Sequence, residues 1–514
     1  MRPVTDVELR HSLKNTNNKA PGFSGIRIIP FRCAPPNYFR IIQLLFTSII
    51  ASKYWPQKFK SSKMIFAPKQ GKPLTNPLNY RPISLLEVLA KVFERIISNR
   101  LMLYLEFNNM LPPNQFGFRP GRSTQHSIQI AIEAIKESRD QGRAVLVATR
   151  DIAKAFDTVY LEGLLFKINT KLQLDLNFTS FIYNYVFNRR ISPTFDNKFG
   201  PSFTPKAGVP QGSCLGPILF LMFVHDLPQP LYNDSLIFQF ADDIVHVIRS
   251  DSTGVNKALS VQSKLRRELI RTLEWEERWK VKNSFEKNHI SYSGTSLVTL
   301  ENIGGIVIRG NHIPIDNSIK MLGYTFSHLI RSSVHILNII NRSQACLAKM
   351  YRFRSAPESI KRYLYITLIR PLLEYPCVQL NKAGIRDKSK LQKIQNKALR
   401  FICNVNLRDR VRSEALHDHC KIDPINVRLA KLSCRTLYAM KDLYINDPDF
   451  ETAPFMRHAV DYEMWDMEPI RPPPPSLSSH IHNVIFSLGY DRQPALSSLP
   501  DDREDYIIPP PKFT

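Results

Sequence analysis

Two adjacent carboxylates, Asp242 and Asp243, lie between two short runs of β-branched and aromatic residues, 236–240 and 244–248. Such runs are typical of strands, so the sequence predicts a hairpin that carries both carboxylates at its turn. Two negative charges held this close are costly unless a cation neutralises them, and hard oxygen ligands of this kind suit Mg²⁺. The alternative is ordinary turn chemistry, because Asp is common in turns.

A third carboxylate, Asp151, follows the apolar run 144–148. This run predicts a buried strand, and an Asp at its end can lie beside the Asp242–Asp243 hairpin. Three carboxylates in this arrangement can hold two metal ions for an in-line displacement at phosphorus, one ion activating a hydroxyl and the other holding a triphosphate. The three residues therefore predict a metal-dependent centre for phosphoryl chemistry.

A glycine-rich block, GVPQGSCLGP over residues 208–217, lies between these carboxylates in the sequence. Its glycines allow the backbone to approach a ligand closely. Ser213 is placed to cap the apolar helix expected over residues 218–224. The three blocks in this order are far more specific than any one of them.

Further blocks extend the pattern in both directions. They are KAPGFSGI (19–26), Pro68-Lys69 with YRPISLL (80–86), NQFGFRPGRST (114–124), Leu322-Gly323 and LIRPLLEY (368–375). Together with the three carboxylates they resemble, in the correct order over roughly residues 15–440, the reverse transcriptases of non-LTR (LINE-type), jockey-like retrotransposons. The resemblance implies an α+β right-hand polymerase fold, with fingers, a palm with an antiparallel sheet and a helical thumb. It also implies RNA-directed DNA synthesis.

The resemblance implies roles for individual residues. Asp151 and Asp242 are expected to be the main ligands of two Mg²⁺ ions, with Mn²⁺ as a substitute, and Asp243 a supporting ligand. The residues expected to contact the incoming nucleotide are Lys69, Arg81, Phe156 and Gln211, and the candidate general acid for pyrophosphate is Lys287. The aromatic ring of Phe156 would lie under the sugar and exclude a 2′-hydroxyl.

Each nucleotide-contact assignment has a structural alternative. Lys69 could be an exposed loop residue, and Arg81 could be a structural cation. Gln211 could be an ordinary turn residue between Pro210 and Gly212, and Phe156 a core aromatic at a helix start.

Some positions depart from the family pattern. Arg150 stands before Asp151, where the family often has an apolar residue, and strand alternation places it on the opposite face. A cation there must reach water or find a partner. Ser24 stands where the family commonly has Asp, and Asn283 and Lys287 are four residues apart where the family spaces them by three. The family's endonuclease domain has no counterpart before the first block, so a polymerase-only fragment or truncated copy is expected.

The formal net charge of +25 suits a polyanionic partner. Residues 441–514 carry six Lys/Arg against thirteen Asp/Glu, a net −7, which leaves +32 on residues 1–440. That basic part is expected to bind an RNA template and a DNA primer, with dNTPs as substrates. Four cations at helical spacing are expected to grip the duplex backbone, or else to form a solvated helix face: Lys390, Lys393, Lys397 and Arg400.

Seven scattered cysteines without paired spacing argue against a disulfide framework and favour a reducing compartment. His417, His419 and Cys420, with Cys403 upstream, raise the question of a zinc site, but no C-x₂-C arm is present and structural roles are preferred. The sequence predicts neither a signal peptide nor a membrane span. An intracellular protein is expected, in a nuclear or cytoplasmic ribonucleoprotein and without an obligate protein partner.

The expected organisation has four parts: an N-terminal extension (1–55), fingers and palm (56–327), a helical thumb with a basic region (328–440), and an acidic, proline-rich tail (441–514). The extension is predicted to be a polar arm followed by a helix over 37–54. Helical periodicity further predicts helices over 89–107, 127–138, 360–373 and 389–404.

Two other functions remain open. One is a catalytically silent relic or a host-recruited RNA-binding protein with a polymerase fold, although the three carboxylates, Arg81 and Gln211 are intact. The other is a different polymerase, either RNA-dependent RNA synthesis or a group II intron-type maturase. A maturase would be favoured by an HNH-type or basic pattern after the thumb, whereas this C-terminus is acidic and rich in proline.

Overall fold

The computed structural model describes residues 2–17, 20–69, 71–196, 198–251, 257–293, 305–406 and 408–446. The expected acidic tail, 441–514, lies almost entirely outside the described residues. Within the described part, helices surround mostly antiparallel sheets, in agreement with the predicted α+β class.

The helices of the first part of the chain pack around two sheets. They are α1 (Asp6–Asn15), α2 (Ile29–Arg32), α3 (Pro36–Ser52), α4 (Gln57–Lys60), α5 (Val88–Phe107), α6 (Thr124–Asp140), α7 (Leu161–Phe166), α8 (Leu176–Val186), α9 (Gly216–Val224) and α10 (Lys257–Arg278).

The strands are short. They are β1 (Ser62–Pro68), β2 (Tyr80–Leu86), β3 (Val145–Asp151), β4 (Ile191–Phe195), β5 (Lys198–Phe199), β6 (Leu236–Phe240), β7 (Asp243–Arg249), β8 (His289–Ser293), β9 (Ile306–Ile308), β10 (Asn311–Ile313), β11 (Ile315–Asp316), β12 (Ser318–Met321) and β13 (Tyr324–Ser327).

The central sheet has the strand order β11-β8-β3-β7-β6, and all its neighbours are antiparallel except β8 and β11. A second sheet has the order β2-β1-β4-β5. Two hairpins, β9–β10 and β12–β13, complete the described strands. The strands predicted on both sides of Asp242 and before Asp151 are therefore confirmed.

Strand β3 is buried on both faces, and its side chains alternate between two cores. Val145 and Val147 belong to the core that contains α6 and the C-terminal helices, whereas Leu146 and Ala148 belong to the core under α10. Because both faces of the strand are buried, its residues are apolar without interruption instead of alternating between apolar and polar. It also fixes the directions of the two residues that end the strand, Arg150 and Asp151.

The prediction of a polar arm at the N-terminus is wrong, because residues 6–15 form helix α1. Thr5 and Glu8 make a reciprocal capping box at its start, and Leu9 and Leu13 are buried. The Glu8 carboxylate also accepts a 2.8 Å ion pair from Arg100 of α5. The helix predicted over 37–54 is confirmed as α3.

The C-terminal helices pack against one face of the central sheet. They are α11 (Ser333–Met350), α12 (Glu358–Leu364), α13 (Arg370–Glu374), α14 (Cys377–Asn381), α15 (Ile385–Ile402), α16 (Ser413–Cys420) and α17 (Ile425–Asn446). A π-helical turn over Tyr365–Ile369 joins α12 to α13, so the helix predicted over 360–373 is confirmed. The helices predicted over 89–107, 127–138 and 389–404 are confirmed as α5, α6 and α15.

Within the described ranges, every helix is too short or too polar to cross a bilayer.

His246 of β7 lies behind the hairpin turn and is completely buried. Burial and the nearby charge of Arg150 lower its pKa to about 3. Folded His246 thus stays neutral at pH values where the unfolded chain takes up a proton, below about pH 6.5. The free energy of unfolding must therefore fall on acidification, by about 1.4 kcal/mol per pH unit from this residue alone.

His246→Leu is expected to flatten the pH dependence of stability between pH 6.5 and pH 4. The measurement is urea unfolding at several pH values, read by circular dichroism. His312→Leu, an exposed histidine on β10, serves as the matched control and should keep the wild-type slope. A His246→Leu slope as steep as wild type would contradict this assignment.

Candidate active site at the ends of β3 and β7

The pairing of β3 with β7 places Asp151 directly opposite Asp243. Asp242 lies next to Asp243 in the turn between β6 and β7, whose closing pair is Phe240 and Asp243. The amide of Ile152 donates to the Asp242 carbonyl at 3.4 Å, which joins the turn to the end of β3. The three predicted carboxylates are therefore brought together at one edge of the central sheet.

This arrangement is electrostatically unfavourable by itself, because like charges directly opposite each other repel. Asp243 is open to solvent, yet the surrounding protein and the charges of Asp242 and Asp151 raise its pKa to about 7. Lys287 and Lys320 partly offset this rise. The site thus favours the binding of positive charge.

The hairpin turn is held by a residue that the sequence did not single out, Gln115. Its buried side-chain oxygen accepts the amide of Ala241 at 3.0 Å and the amide of Gly117 at 2.8 Å. Its amide group donates to Gln239 of β6 at 3.2 Å. Ala241 has a φ of 58°, a conformation unusual for a residue with a side chain, so this hydrogen bond stabilises a strained turn.

Gly117 makes the approach of this segment to the turn possible. A Cβ atom at residue 117 would lie 2.3 Å from the backbone nitrogen of Ala241. The amide of Phe116 donates to the carbonyl of Gln239 at 2.7 Å, so the segment runs along β6 like a short additional strand. The block 114–124 therefore contributes to the geometry of the carboxylates through backbone contacts.

The unusual Arg150 has a buried partner behind the site. Its guanidinium donates to Glu276 of α10 at 2.6 Å, and both side chains are 3% exposed. The side-chain amide of Asn283 donates to the same carboxylate at 3.3 and 3.4 Å. The expected location of Arg150 on the face opposite Asp151 is confirmed, and its charge is neutralised by a buried ion pair with Glu276.

A cluster of cations surrounds Lys69 and includes Lys287, which contacts Asp151. Lys69 follows β1, and Arg81 lies in β2 opposite Ala67 of β1. Burial, then the positive charges of Lys287, Arg81 and Lys154, lower the pKa of Lys69. Lys154 was not among the predicted site residues, although its place in the sequence between Asp151 and Phe156 indicates a location near the site. It is exposed and adopts a φ of 52°.

Lys287 touches the carboxylates directly. Its ammonium lies 2.5 Å from Asp151 Oδ2. It ends a 3₁₀ turn over Phe285–Lys287, and the backbone before this turn is fixed because the Ser284 amide donates to the Asp151 carbonyl at 3.2 Å. The altered spacing from Asn283 therefore still brings Lys287 to the site, while Asn283 itself bonds to Glu276.

The loop that contains Gln211 packs against β2. The Gln211 carbonyl accepts the amide of Ser84 at 2.8 Å, and a Cβ at Gly212 would lie 2.8 Å from the Ser84 carbonyl oxygen. Buried Glu94 of α5 accepts the Cys214 amide at 2.8 Å and fixes the other end of the loop. Ser213 accepts the amide of Gly216, the first residue of α9, at 2.7 Å, whereas the N-cap position of this helix is occupied by Leu215, without a side-chain capping hydrogen bond.

Phe156 lies between two other aromatic rings. Its centroid is 5.9 Å from that of Phe118 and 5.2 Å from that of Phe220. Phe118 follows Gly117 at the hairpin turn, so Phe156 is close to the carboxylates as well as to the core. The ring is half-buried, which leaves part of it open.

Asp151, Asp242 and Asp243 offer a metal ion carboxylate oxygens only. They contribute neither a sulfur nor an imidazole ligand. Oxygen-only sites favour hard divalent cations such as Mg²⁺. The residues present therefore fit divalent metal ions.

Comparison with known proteins agrees with this geometry. The family model described as reverse transcriptase (RNA-dependent DNA polymerase) matches residues 67–326, half of the chain, which include all three carboxylates. The chain belongs to the reverse transcriptase family. Its predicted right-hand polymerase fold is confirmed, and members of this family use divalent metal ions.

Relatives of this reverse transcriptase come from insect mobile elements. A probable RNA-directed DNA polymerase from the Drosophila melanogaster transposon X-element is 31% identical over 440 residues, which cover 84% of this chain and 47% of that protein. The RNA-directed DNA polymerase from the D. melanogaster mobile element jockey is 31% identical and covers 75% and 42%. The predicted resemblance to jockey-like elements is confirmed. The chain spans about half the length of these curated relatives.

Among solved structures, apo telomerase from Candida tropicalis is 11% identical, with a TM-score of 0.41 and coverage of 82% of this chain and 73% of that one.

The four predicted duplex-binding cations of this reverse transcriptase differ in their surroundings. Lys393 and Lys397 are exposed on α15. Lys390 is paired with Asp387 at 2.7 Å. The guanidinium of Arg400 instead donates to the carbonyls of Asn406, Asp409 and Val411 at 2.8, 3.2 and 3.0 Å. Arg400 therefore stabilises the loop after α15, and its contact with a duplex stays a prediction.

Breaking the ion pair behind Asp151 is expected to destabilise the protein strongly. Arg150→Met leaves the Glu276 charge buried without its partner and should cost about 3–5 kcal/mol, whereas Arg150→Met/Glu276→Leu should cost clearly less than the sum of the single changes. The measurement is a double-mutant cycle by urea unfolding. The exposed pair Lys431–Asp423 is the control and should show a coupling of about 0–1 kcal/mol. Additive costs at Arg150 and Glu276 would contradict a coupled pair.

Proposed function

We propose that this chain is an RNA-directed DNA polymerase of a mobile element, which copies an RNA template into DNA by two-metal-ion nucleotidyl transfer. The observation that carries the proposal is the meeting of Asp151, Asp242 and Asp243 with a cluster of cations from other elements. Carboxylates hold metal ions, and the cations match the charge of a triphosphate.

Two Mg²⁺ ions, or Mn²⁺ in their place, would supply activation of the primer 3′-hydroxyl and stabilisation of the charge that develops on the phosphates. Asp151 and Asp242 are the main ligands in this proposal, and Asp243 is a supporting one. The direct opposition of Asp151 and Asp243 supports a site in which carboxylates of different strands share the ions.

Lys69 and Arg81 are proposed to bind the triphosphate. Arg81 pairs with Ala67 of β1, and the Lys69 amide donates to the Asn79 carbonyl at 2.7 Å, so both residues lie at one end of the second sheet. Lys154 adds a further charge beside Lys69. Gln211 is proposed to contact the incoming nucleotide or the template base. Its support is the hydrogen bond between its carbonyl and the Ser84 amide, which holds the Gln211 loop on the strand that carries Arg81.

Lys287 is the proposed general acid that protonates pyrophosphate. Its contact with Asp151 supports a location at the reacting centre. The same contact constrains the proposal, because the ammonium must leave Asp151 to reach a leaving group.

The proposed partners are an RNA template, a DNA primer and dNTPs. The net charge of +32 on residues 1–440 supports binding of a polyanion there, and Lys393 and Lys397 are exposed for backbone contact. We further propose the division into N-terminal extension, fingers and palm, thumb and tail at residues 55, 327 and 440, and a location in a nuclear or cytoplasmic ribonucleoprotein.

Primer extension on poly(rA)/oligo(dT) with Mg²⁺ and dTTP tests the activity. Asp151→Ala and Asp242→Ala should each lower the rate by about 10³-fold or more, since each removes a metal ligand that stabilises transition-state charge. RNA affinity, measured by filter binding, should stay close to wild type because the cations remain. Asp243→Ala should do less damage than Asp242→Ala.

Asp140→Ala, an exposed carboxylate at the end of α6, is the control and should extend at the wild-type rate. Wild-type extension by the Asp151 or Asp242 variant would exclude the two-metal assignment. No extension by the unaltered protein, with RNA affinity preserved, would favour the silent RNA-binding relic.

Phe156→Val should raise incorporation of ribonucleotides relative to deoxynucleotides. A half-buried ring held between Phe118 and Phe220 leaves little room for a 2′-hydroxyl, and the smaller side chain opens that space. Rejection by packing in a tight site supports a change of about 10²-fold in selectivity. The measurement is the ratio of kcat/KM for dTTP to that for UTP.

Phe220→Leu removes the buried ring that packs against Phe156 in the core. It is the control for a general loosening of the packing around Phe156. It should leave the ratio nearly unchanged. If Phe156→Val extends primers normally with the wild-type ratio, Phe156 is a core residue rather than a sugar-contacting one.

A further inference from the structure

Four side chains with metal-binding chemistry meet at the ends of three C-terminal helices, far along the chain from the carboxylates of the active site. Glu358 is the first residue of α12, and Cys403 follows the last residue of α15. His419 and Cys420 are the last two residues of α16. None of them belongs to the polymerase site described above.

Their donor atoms are close to one another. The two sulfurs of Cys403 and Cys420 are 3.4 Å apart, and His419 Nε2 is 3.1 Å from Glu358 Oε2. The donor atoms of Glu358, Cys403 and His419 all lie within 4.8 Å of one another, and the Cys420 sulfur joins this group through its contact with the Cys403 sulfur. In a tetrahedral zinc site, Zn–S bonds of about 2.3 Å and Zn–N or Zn–O bonds of about 2.0–2.1 Å put two sulfurs about 3.8 Å apart and a nitrogen and an oxygen about 3.3 Å apart. Both observed separations are within about 0.4 Å of these values.

The types of donor select the metal. Two thiolates favour a soft or borderline cation over Mg²⁺ or Ca²⁺, and the addition of one imidazole and one carboxylate is typical of Zn²⁺. Two thiolates and one carboxylate would leave a net charge of −1 on a zinc complex. Arg362 of α12 lies beside it, where its Nε donates to the Cys420 carbonyl at 3.0 Å, and supplies a compensating charge.

The surroundings combine a buried sulfur with access from solvent. Cys420 is 4% exposed, whereas His419 and Glu358 lie at the surface. A pocket of about 300 Å³ beside them is lined by Glu358, Arg362, Ile402, His419, Cys420 and Lys421. An ion can therefore reach Glu358, His419 and Cys420 from the pocket.

The structure also corrects the grouping suggested by the sequence. His417 faces away from the cluster, because its Nδ1 bonds the carbonyl of Ile422 at 2.8 Å and its Nε2 lies 3.0 Å from Gln392 Nε2. Glu358, which lies 45 residues before Cys403, replaces it. A search for C-x₂-C spacing could not find such a site, because its ligands come from three separate helix ends.

We propose that Glu358, Cys403 and His419 form a zinc site that ties together α12, α15 and α16, with the neighbouring Cys420 as the fourth ligand. It would fix the end of the helix that presents Lys393 and Lys397, and it is independent of the polymerase centre. The competing occupant of the same space is a disulfide between Cys403 and Cys420. The location of His419 and Glu358 beside the Cys403 sulfur favours the metal, since a disulfide needs neither.

The test uses the full chain, reduced and freed of metal with a chelator, and then given Zn²⁺ or Co²⁺ alone. One zinc per chain should bind tightly, measured by competition with a chromogenic chelator. Co²⁺ should produce the intense absorption of thiolate-to-cobalt charge transfer, a signal that carboxylates at the polymerase site cannot give. Cys403→Ser, Cys420→Ser and His419→Gln should each weaken zinc binding by more than about 100-fold, because even partners outside the ligand set cost 10–100-fold.

Cys346→Ser on α11 is the matched control and should retain both zinc and the cobalt signal. Glu358→Gln, at an exposed position, guards against loss of folding in the cysteine variants. Zn²⁺ should raise the thermal midpoint of the wild type and of Cys346→Ser, and should raise that of Glu358→Gln much less. Absence of the thiolate signal in the wild type, unchanged zinc affinity in the ligand variants, or a Cys403–Cys420 disulfide found by mass spectrometry in the freshly isolated protein would overturn the proposal.

Discussion

The mutual repulsion of three carboxylates is the constraint on which the rest of the site depends. Antiparallel pairing forces Asp151 and Asp243 to be direct neighbours, and the two-residue turn adds Asp242 beside them. Rotation of any one side chain cannot separate all three carboxylates. The fold must therefore hold the backbone rigidly on both sides of the site and supply positive charge in front of it, and both features are observed.

Rigidity comes from buried polar contacts rather than from apolar packing alone. Gln115 fixes the strained Ala241 turn from one side, and the close approach of Gly117 leaves no space for a larger residue. Behind β3, the pair of Arg150 and Glu276 ties the strand to α10. A buried ion pair is weak evidence for stability, because desolvation opposes its attraction. Its specific geometry does, however, oppose a shift of β3 along α10, which would separate the charges.

Local sequence patterns predicted what local physics determines. The strands on both sides of Asp242, the strand before Asp151 and the amphipathic helices α5 and α15 follow from alternation and periodicity. The missed features depend on contacts between distant segments. Gln115 and Ala241 are 126 residues apart, as are Arg150 and Glu276, and no spacing rule connects either pair. Arg400 has the period of a surface cation, but its carbonyl partners in the following loop are set by tertiary structure.

Negative and positive side chains are divided between the two sheets, so a ligand that carries both signs of charge can bind to both groups. The carboxylates belong to the central sheet, whereas Lys69 and Arg81 belong to the second sheet and its connection. Lys287 lies within the influence of both groups, because it touches Asp151 and lowers the pKa of Lys69. A free triphosphate would be attracted by the cations and repelled by the carboxylates, and a free metal ion would meet the reverse. A metal–triphosphate complex carries positive and negative charge together. Its binding would therefore reduce the repulsion among the carboxylates and the repulsion among the cations at the same time. We therefore propose that the site favours the complex over either component, because the backbone positions of the two sheets keep the carboxylates and the cations apart.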